Sequence, residues 1–445
     1  MALEAASSRV LVCVCLIALG WVAKRCGWVN AGDGAAVLRV IFGITLPAVL
    51  LTTFSSAPLQ LPGAGLVVAA SVLHALCMTF LSLTWDNPLR PAQQAALLSG
   101  ASFGVNLGLF AYAFAGAAFG THGLQVVVLF DLFNQAVLLI FQYLAFWWRC
   151  GRQSNGSLRA ELQAVATAVC KRLLTPCLLA LYAAAALAVT RTSISPAVGA
   201  VTNQLVGANA PLTLLALGMV LDIRMPAAYV ADVTALLGCR FGVSLAFGAV
   251  CVAVMQQYGG VATTTLAALL IAMSAPVPML TLTYSQEFGC DTSLAAIMIN
   301  ASMVCAFLCL CAIVQLSSTH PTMLAPAAAL GATFSLLVGA LGRVQQHKHL
   351  TRGVPAITAE ATPVCGIRML PAPPTSARSA AKMVAVRYHR RGMPRLRATS
   401  SPPRAPSQGN SPREVLRARA SAWRPATSLS SVSLAARARP RCLAS

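Results

Sequence analysis

Asn106 stands between two glycines in an otherwise apolar run, Ser102-Phe103-Gly104-Val105-Asn106-Leu107-Gly108-Leu109-Phe110. Gly104 and Gly108 weaken a helix there, and backbone N–H and C=O groups freed inside lipid cost several kcal/mol each unless protein or a wet cavity covers them. A helix broken at this point exposes N–H groups, and with the Asn106 amide these suit the capture of an anion. Close helix packing through glycine, with Asn106 bonded to a neighbour, is the competing structural reading. A second interruption lies in Ser274-Ala275-Pro276-Val277-Pro278-Met279-Leu280-Thr281, where Pro276 and Pro278 remove two backbone donors. A third feature is Asp131, Asn134 and Gln135, at i, i+3 and i+4 on one helical face. A carboxylate in that setting serves as a proton or cation relay or a site wall, or is held structurally by hydrogen bonds. The candidate substrate-binding set is therefore Gly104, Asn106, Gly108, Asp131, Asn134, Pro276, Pro278 and Thr281. Arg240 reads as the opening residue of a later span. Anchoring to headgroups is the favoured role, ahead of neutralising a substrate or pairing with Asp131. His74 and His122 read as packing or loop residues, and Cys305, Cys309 and Cys311 lack zinc-ligand spacing. No catalytic constellation is evident, so an enzyme is not expected, and no cofactor is implied.

The elements that must position these residues are membrane helices. Ten apolar runs are predicted: Ser8–Ala23, Val37–Phe54, Gly63–Leu83, Ala92–Phe114, Gln125–Trp147, Leu173–Thr190, Ala200–Leu221, Val233–Met255, Thr263–Thr283 and Ser293–Leu316. An eleventh, Pro321–Leu341, is rich in Ala and Gly. The first run ends in Lys24-Arg25 rather than in a cleavage site, so it reads as a span and not a signal peptide. A polar break at 149–172 carries Arg149, Arg152, Arg159, Lys171 and Arg172 against Glu161, which assigns it to the cytosol. An eleventh span would bring the basic tail to the same side. The expected organisation is a five-helix repeat over 1–148, a basic cytosolic loop over 149–172, an inverted five-helix repeat over 173–317, an additional helix over 318–350 and a disordered basic tail over 351–445. The two interruptions fall at corresponding places of the two halves, a pattern that points to a transporter site. Thr45-Leu46-Pro47 in the second span and Asn209-Ala210-Pro211 in the seventh add weak internal similarity.

Composition agrees. The 445 residues are 57% hydrophobic and only 10% charged, with a mean hydropathy of +0.73, whereas soluble chains average about 25% charged residues. The net charge of +21 is concentrated after Thr351, where 17 Lys and Arg face 2 Glu. That tail has no nucleic-acid motif, and its expected surroundings are solvent or anionic lipid. The expected partners are therefore the lipid bilayer and a small organic anion, with no nucleic acid, and a homodimer is left open.

Distributed pieces of the body resemble the auxin efflux carrier family of PIN-type and PIN-likes membrane transporters and bacterial organic-anion carriers. They are Leu19-Gly20-Trp21 to Gly27-Trp28, Leu38-Arg39-Val40-Ile41-Phe42 to Leu46-Pro47-Ala48, and Phe119-Gly120 to Leu124. They continue with Val128-Leu129-Phe130-Asp131 and Asn134, Ala208-Asn209-Ala210-Pro211-Leu212 to Leu217-Gly218, and Pro276 followed by Glu287-Phe288-Gly289 and Asp291. The resemblance implies a ten-helix inverted-repeat fold similar to bile-acid:sodium symporters, in which crossed, broken fourth and ninth helices hold the substrate. By position, Asn106, Gly108 and Pro276 belong to that crossing. The implied function is efflux of a small organic anion, auxin or a malonate-like dicarboxylate, by alternating access in the endoplasmic-reticulum or plasma membrane. Phe110 stands where the family often has proline. That departure keeps a transport-inactive membrane receptor or scaffold with a basic interaction tail as the alternative.

Overall fold

A computed structural model describes residues 2–55, 63–151, 158–190, 192, 194–222, 224–258 and 260–351, and among these the chain is helical with no strand. The tail expected over 351–445 lies outside the described residues apart from Thr351. After α1 (Ala2–Arg25), Asn30 opens the next helix through a capping box, its Oδ1 accepting from the Gly32 and Asp33 N–H groups while Asp33 Oδ2 accepts from Asn30 N. That helix, α2 (Ala31–Val40), runs through a π-turn into α3 (Leu46–Ser55). The first half continues with α4 (Ala64–Leu83), α5 (Ala92–Ser102), α6 (Tyr112–Ala136) and α7 (Gln142–Phe146). After a polar stretch come α8 (Leu158–Leu173), α9 (Pro176–Thr190), α10 (Pro196–Val220), α11 (Val230–Tyr258), α12 (Thr263–Met273), α13 (Leu280–Glu287), α14 (Thr292–Thr319) and α15 (Leu324–Thr351).

Among the described residues six helical runs are long and apolar enough to cross a membrane: Ala31–Thr53, Ala64–Leu83, Leu107–Gly151, Ala227–Gln257, Thr292–Thr319 and Pro321–Thr351. The pair Arg159–Leu173 and Pro176–Leu187, bent by 66°, makes a seventh if it is one span. Large apolar side chains face outward on these helices, among them Phe80, Leu308, Leu330 and Phe334. Water would penalise such a surface and lipid does not. The chain is thus an all-helical, multi-pass membrane protein.

Lengths explain where it bends. The 45-residue run Leu107–Gly151 would extend about 68 Å if straight, twice the roughly 30 Å hydrocarbon core. Gly120 folds it back, at φ 66° and ψ −154°, a conformation that only glycine adopts freely. Conversely, α5 and α12 have 11 residues each and span about 17 Å, half a bilayer.

The polar stretch expected as a loop over 149–172 is largely helical, as α8 and the end of the preceding helix. Its run Leu158-Arg159-Ala160-Glu161-Leu162-Gln163-Ala164 consists of strong helix formers, and its charges are no obstacle to a helix outside lipid. Arg172 at its end pairs with Glu287 and lies over the Tyr143 and Tyr284 rings, 4.3 and 5.3 Å from the centroids.

The helix after α14 is a full element. α15 lies along α11 so closely that a Cβ on Gly238 would overlap the Gly339 backbone nitrogen. Small residues let the two backbones touch, as in other membrane-helix pairs. Polar bonds finish the joint: Gln346 donates to Asp232 at 2.6 Å, and Arg343 donates to the Thr84 carbonyl and lies 4.0 Å from the Trp85 ring centroid. Gly238→Leu is expected to lower stability by about 1–3 kcal/mol through overpacking. The check is the thermal unfolding midpoint in detergent. Gly331→Ala, which meets only the tip of Leu245 at 3.4 Å, should leave that midpoint unchanged.

Candidate functional site

Both interruptions foreseen in the sequence are present. Between α5 and the helix restarting at Leu107, residues 103–106 are not helical, and Gly104 adopts φ +57°. Between α12 and α13, the segment 275–278 around Pro276 and Pro278 is likewise non-helical. The two breaks meet: Asn106 N donates to the Pro276 carbonyl at 2.9 Å.

Several backbone groups freed near this point find partners on other helices. The Arg240 guanidinium of α11 donates to the carbonyls of Ala101 at 3.1 Å and Ser102 at 3.0 Å, to that of Gly104, and to that of Pro276 at 3.5 Å. Asn134 of α6 brackets Val105, accepting from its N–H at 2.9 Å and donating to its carbonyl at 3.0 Å. The peptide unit between Gly104 and Val105 is therefore gripped at its C=O by Arg240 and at its N–H by Asn134. Ser302 of α14 does for the second break what Asn134 does for the first, its Oγ accepting from Val277 N at 2.9 Å. Gln142 donates to the Gly100 carbonyl at 3.0 Å and to the Thr281 hydroxyl at 2.8 Å.

Asp131 sits behind this frame. Its carboxylate accepts from Tyr112 OH at 2.6 Å, Asn134 Nδ2 at 2.7 Å and Gln135 Nε2 at 2.9 Å. Three donors converge on one buried acceptor, so Asp131 orients Asn134 and through it the broken segment. The hydrogen bonds expected by one of the readings open in the sequence are thus present. Thr281 is fully buried and engaged by Gln142. Pro278 is buried, and Gly108 lets Leu46 approach, with its Cδ2 3.0 Å from where a Cβ would stand.

At the crossing itself the Asn106 amide nitrogen has no protein partner among the described residues. Asn106 is 7% exposed, and its Nδ2 is buried with no hydrogen bond. A buried unpaired donor costs about 1–3 kcal/mol, which an acceptor arriving at the crossing would recover. Ser99 Oγ, Gln142 Oε1 and Thr213 Oγ1 are also buried without partners.

Arg240 corrects the expectation of a headgroup anchor. It is 1% exposed and, among the described residues, forms no ion pair with Asp131 or any other carboxylate. The helix begins at Val230, so Arg240 is ten residues or about 15 Å along it, well inside the helix rather than at its start. A basic residue that far inside an apolar run was the available signal. Tyr112, Gln142 and Ser302 carried no such signal, because each gains meaning only from the backbone group it meets.

Polar contacts also join helices far apart in the chain. Thr45 donates to Asn209 at 2.7 Å, and both stand two positions before a proline. His74 bonds Ser244 at 2.9 Å, and His122 bonds Thr265 at 2.8 Å. The pairs His74–Ser244 and Asn106–Pro276 are each 170 positions apart. Among the described residues no three His, Cys, Asp or Glu side chains converge as a metal site would require. No model of a known protein family matches the chain, and no curated protein matches it in sequence.

Proposed function

We propose that the chain is a secondary carrier for a small organic anion, of the auxin efflux carrier kind, built as two inverted five-helix repeats with α15 as an added helix. The single observation that carries this reading is the partnerless Asn106 amide at the contact of two broken helices. A buried N–H donor calls for an oxygen acceptor, and a carboxylate supplies one. The helix restarting at Leu107 and α13 restarting at Leu280 turn their N-terminal, positive ends toward the interrupted segments.

The inverted repeat is supported by contacts that recur in both halves. Asn134 and Ser302 each catch an N–H freed by the break in the preceding span. The 170-position separation holds for two helix pairs, and Thr45 meets Asn209, its sequence counterpart. In this reading substrate is held near the midplane and one bundle moves past the other. A membrane potential drives the anion at about 2.3 kcal/mol per charge per 100 mV.

The test is flux of labelled indole-3-acetate and malonate in proteoliposomes holding the full chain under an imposed diffusion potential. Saturable flux of a carboxylate that rises with inside-negative potential in the efflux direction is expected. Flux no greater than in empty liposomes for either compound and for a wider carboxylate panel would overturn the carrier reading.

A further inference from the structure

We infer that the Arg240 guanidinium is the resident cation of the crossing: it fills a cage of backbone carbonyls that would otherwise take a coupling metal ion, and the anion is bound without one. The inference deepens the carrier reading and rests on it. In carriers with discontinuous helices, unwound carbonyls and the C-terminal ends of half-helices coordinate the coupling Na⁺. Here those groups are the carbonyls of Ala101 and Ser102 at the end of α5, Gly104 in the first break and Pro276 in the second. All four point at one guanidinium.

The chemistry of that group suits the cage. A guanidinium is a planar fork of five donors with no acceptor, so it can bond several carbonyls at once where a lysine ammonium would act as a point charge. It is permanently charged and tethered, so no ion need be drawn from solution. At 1% exposure no water competes for its donors. A buried cation without a carboxylate is costly. Here the compensation comes from the carbonyl dipoles of both broken segments, and Asn106, whose Nδ2 lacks a partner, joins the same crossing through its backbone N–H bond to the Pro276 carbonyl. Arg240 is thus a positioning residue: it sets the backbone of the first break and supplies charge, while Asn106 meets the anion.

The experiment compares the full-length protein with Arg240→Ala in detergent, following thermal unfolding by tryptophan fluorescence in low-millimolar guanidinium, sodium or potassium chloride at constant ionic strength. The variant should unfold at lower temperature, and guanidinium or sodium should raise its midpoint by at least about 2 °C with no effect on wild type. In proteoliposomes, wild-type anion flux should not change when a sodium gradient is imposed or reversed. Stabilisation of wild type by sodium, sodium-dependent wild-type flux, or a variant indifferent to every cation would overturn the inference. If Arg240→Ala does not fold, Arg240→Gln and Arg240→Lys take its place. Sodium should then stabilise the first and not the second, and the reverse pattern or equal behaviour counts against the cage. The two readings fail separately. Cation rescue without any carboxylate flux removes the carrier and leaves the cage, whereas sodium-coupled flux removes the cage assignment and leaves the carrier.

Discussion

Asn106→Ala is expected to weaken the apparent affinity for the carried anion by about 10- to 150-fold, the range for losing one hydrogen bond to a charged group, roughly 1.5–3 kcal/mol. The folded protein should hardly notice. Asn106 Nδ2 bonds nothing in the protein, and the bond that fixes the crossing, Asn106 N to the Pro276 carbonyl, belongs to the backbone and survives truncation. The combination is diagnostic, because a packing asparagine would lose stability and function together, while a ligand-facing one loses function alone. Concentration dependence of flux in proteoliposomes, beside an unfolding curve in detergent, separates the two. Unchanged affinity would remove Asn106 from the site, and a fallen midpoint would return it to the scaffold.

Gly104→Ala should be the more damaging change to the folded state, at about 2–5 kcal/mol. Two costs add. At φ +57° a residue with a Cβ pays roughly 1–2 kcal/mol. The new methyl would also overlap Leu138 Cδ2 and press on Asn134 Oδ1 at 3.1 Å, and such overpacking costs about 1–3 kcal/mol. The second contact matters for function, since Asn134 moved off Val105 frees the peptide it holds and lets the first break rotate. Gly108→Ala is the control. Its φ is not left-handed, and its Cβ would meet only the end of the Leu46 side chain at 3.0 Å, a flexible tip that can shift. Unfolding midpoints in detergent should drop by several degrees for Gly104→Ala and by little for Gly108→Ala. Equal midpoints would mean that the left-handed turn at Gly104 carries no structural weight.

Much of this architecture is a consequence of local composition. Apolar runs of span length, Pro276 and Pro278 two residues apart, and Gly104 and Gly108 around Asn106 determine helices and their breaks, because hydropathy, a missing N–H and a missing Cβ act on the chain where they stand. Even the end of the apolar body after Leu341 was legible, though the helix runs on to Thr351 because Arg343, Gln346 and their neighbours are good helix formers that find polar partners outside lipid.

What sequence alone left open was who meets whom. The polar residues Arg240, Asn134, Ser302 and Gln142 each answer a backbone group on another helix, up to 139 positions away. Such a partner is selected by packing rather than by spacing. Asp131 illustrates the point: helical spacing already puts Asn134 and Gln135 beside it, but only the fold, turned back at Gly120, brings in Tyr112 as the third donor. Arg240 shows the opposite failure. In the sequence it reads as the opening of its span and so as a headgroup anchor, although the predicted run already begins at Val233, and only the tertiary structure shows the guanidinium set against the carbonyl ends of a broken neighbour. A buried charge is stable only where the surrounding dipoles already point at it, and the direction of those dipoles is fixed by the folded chain.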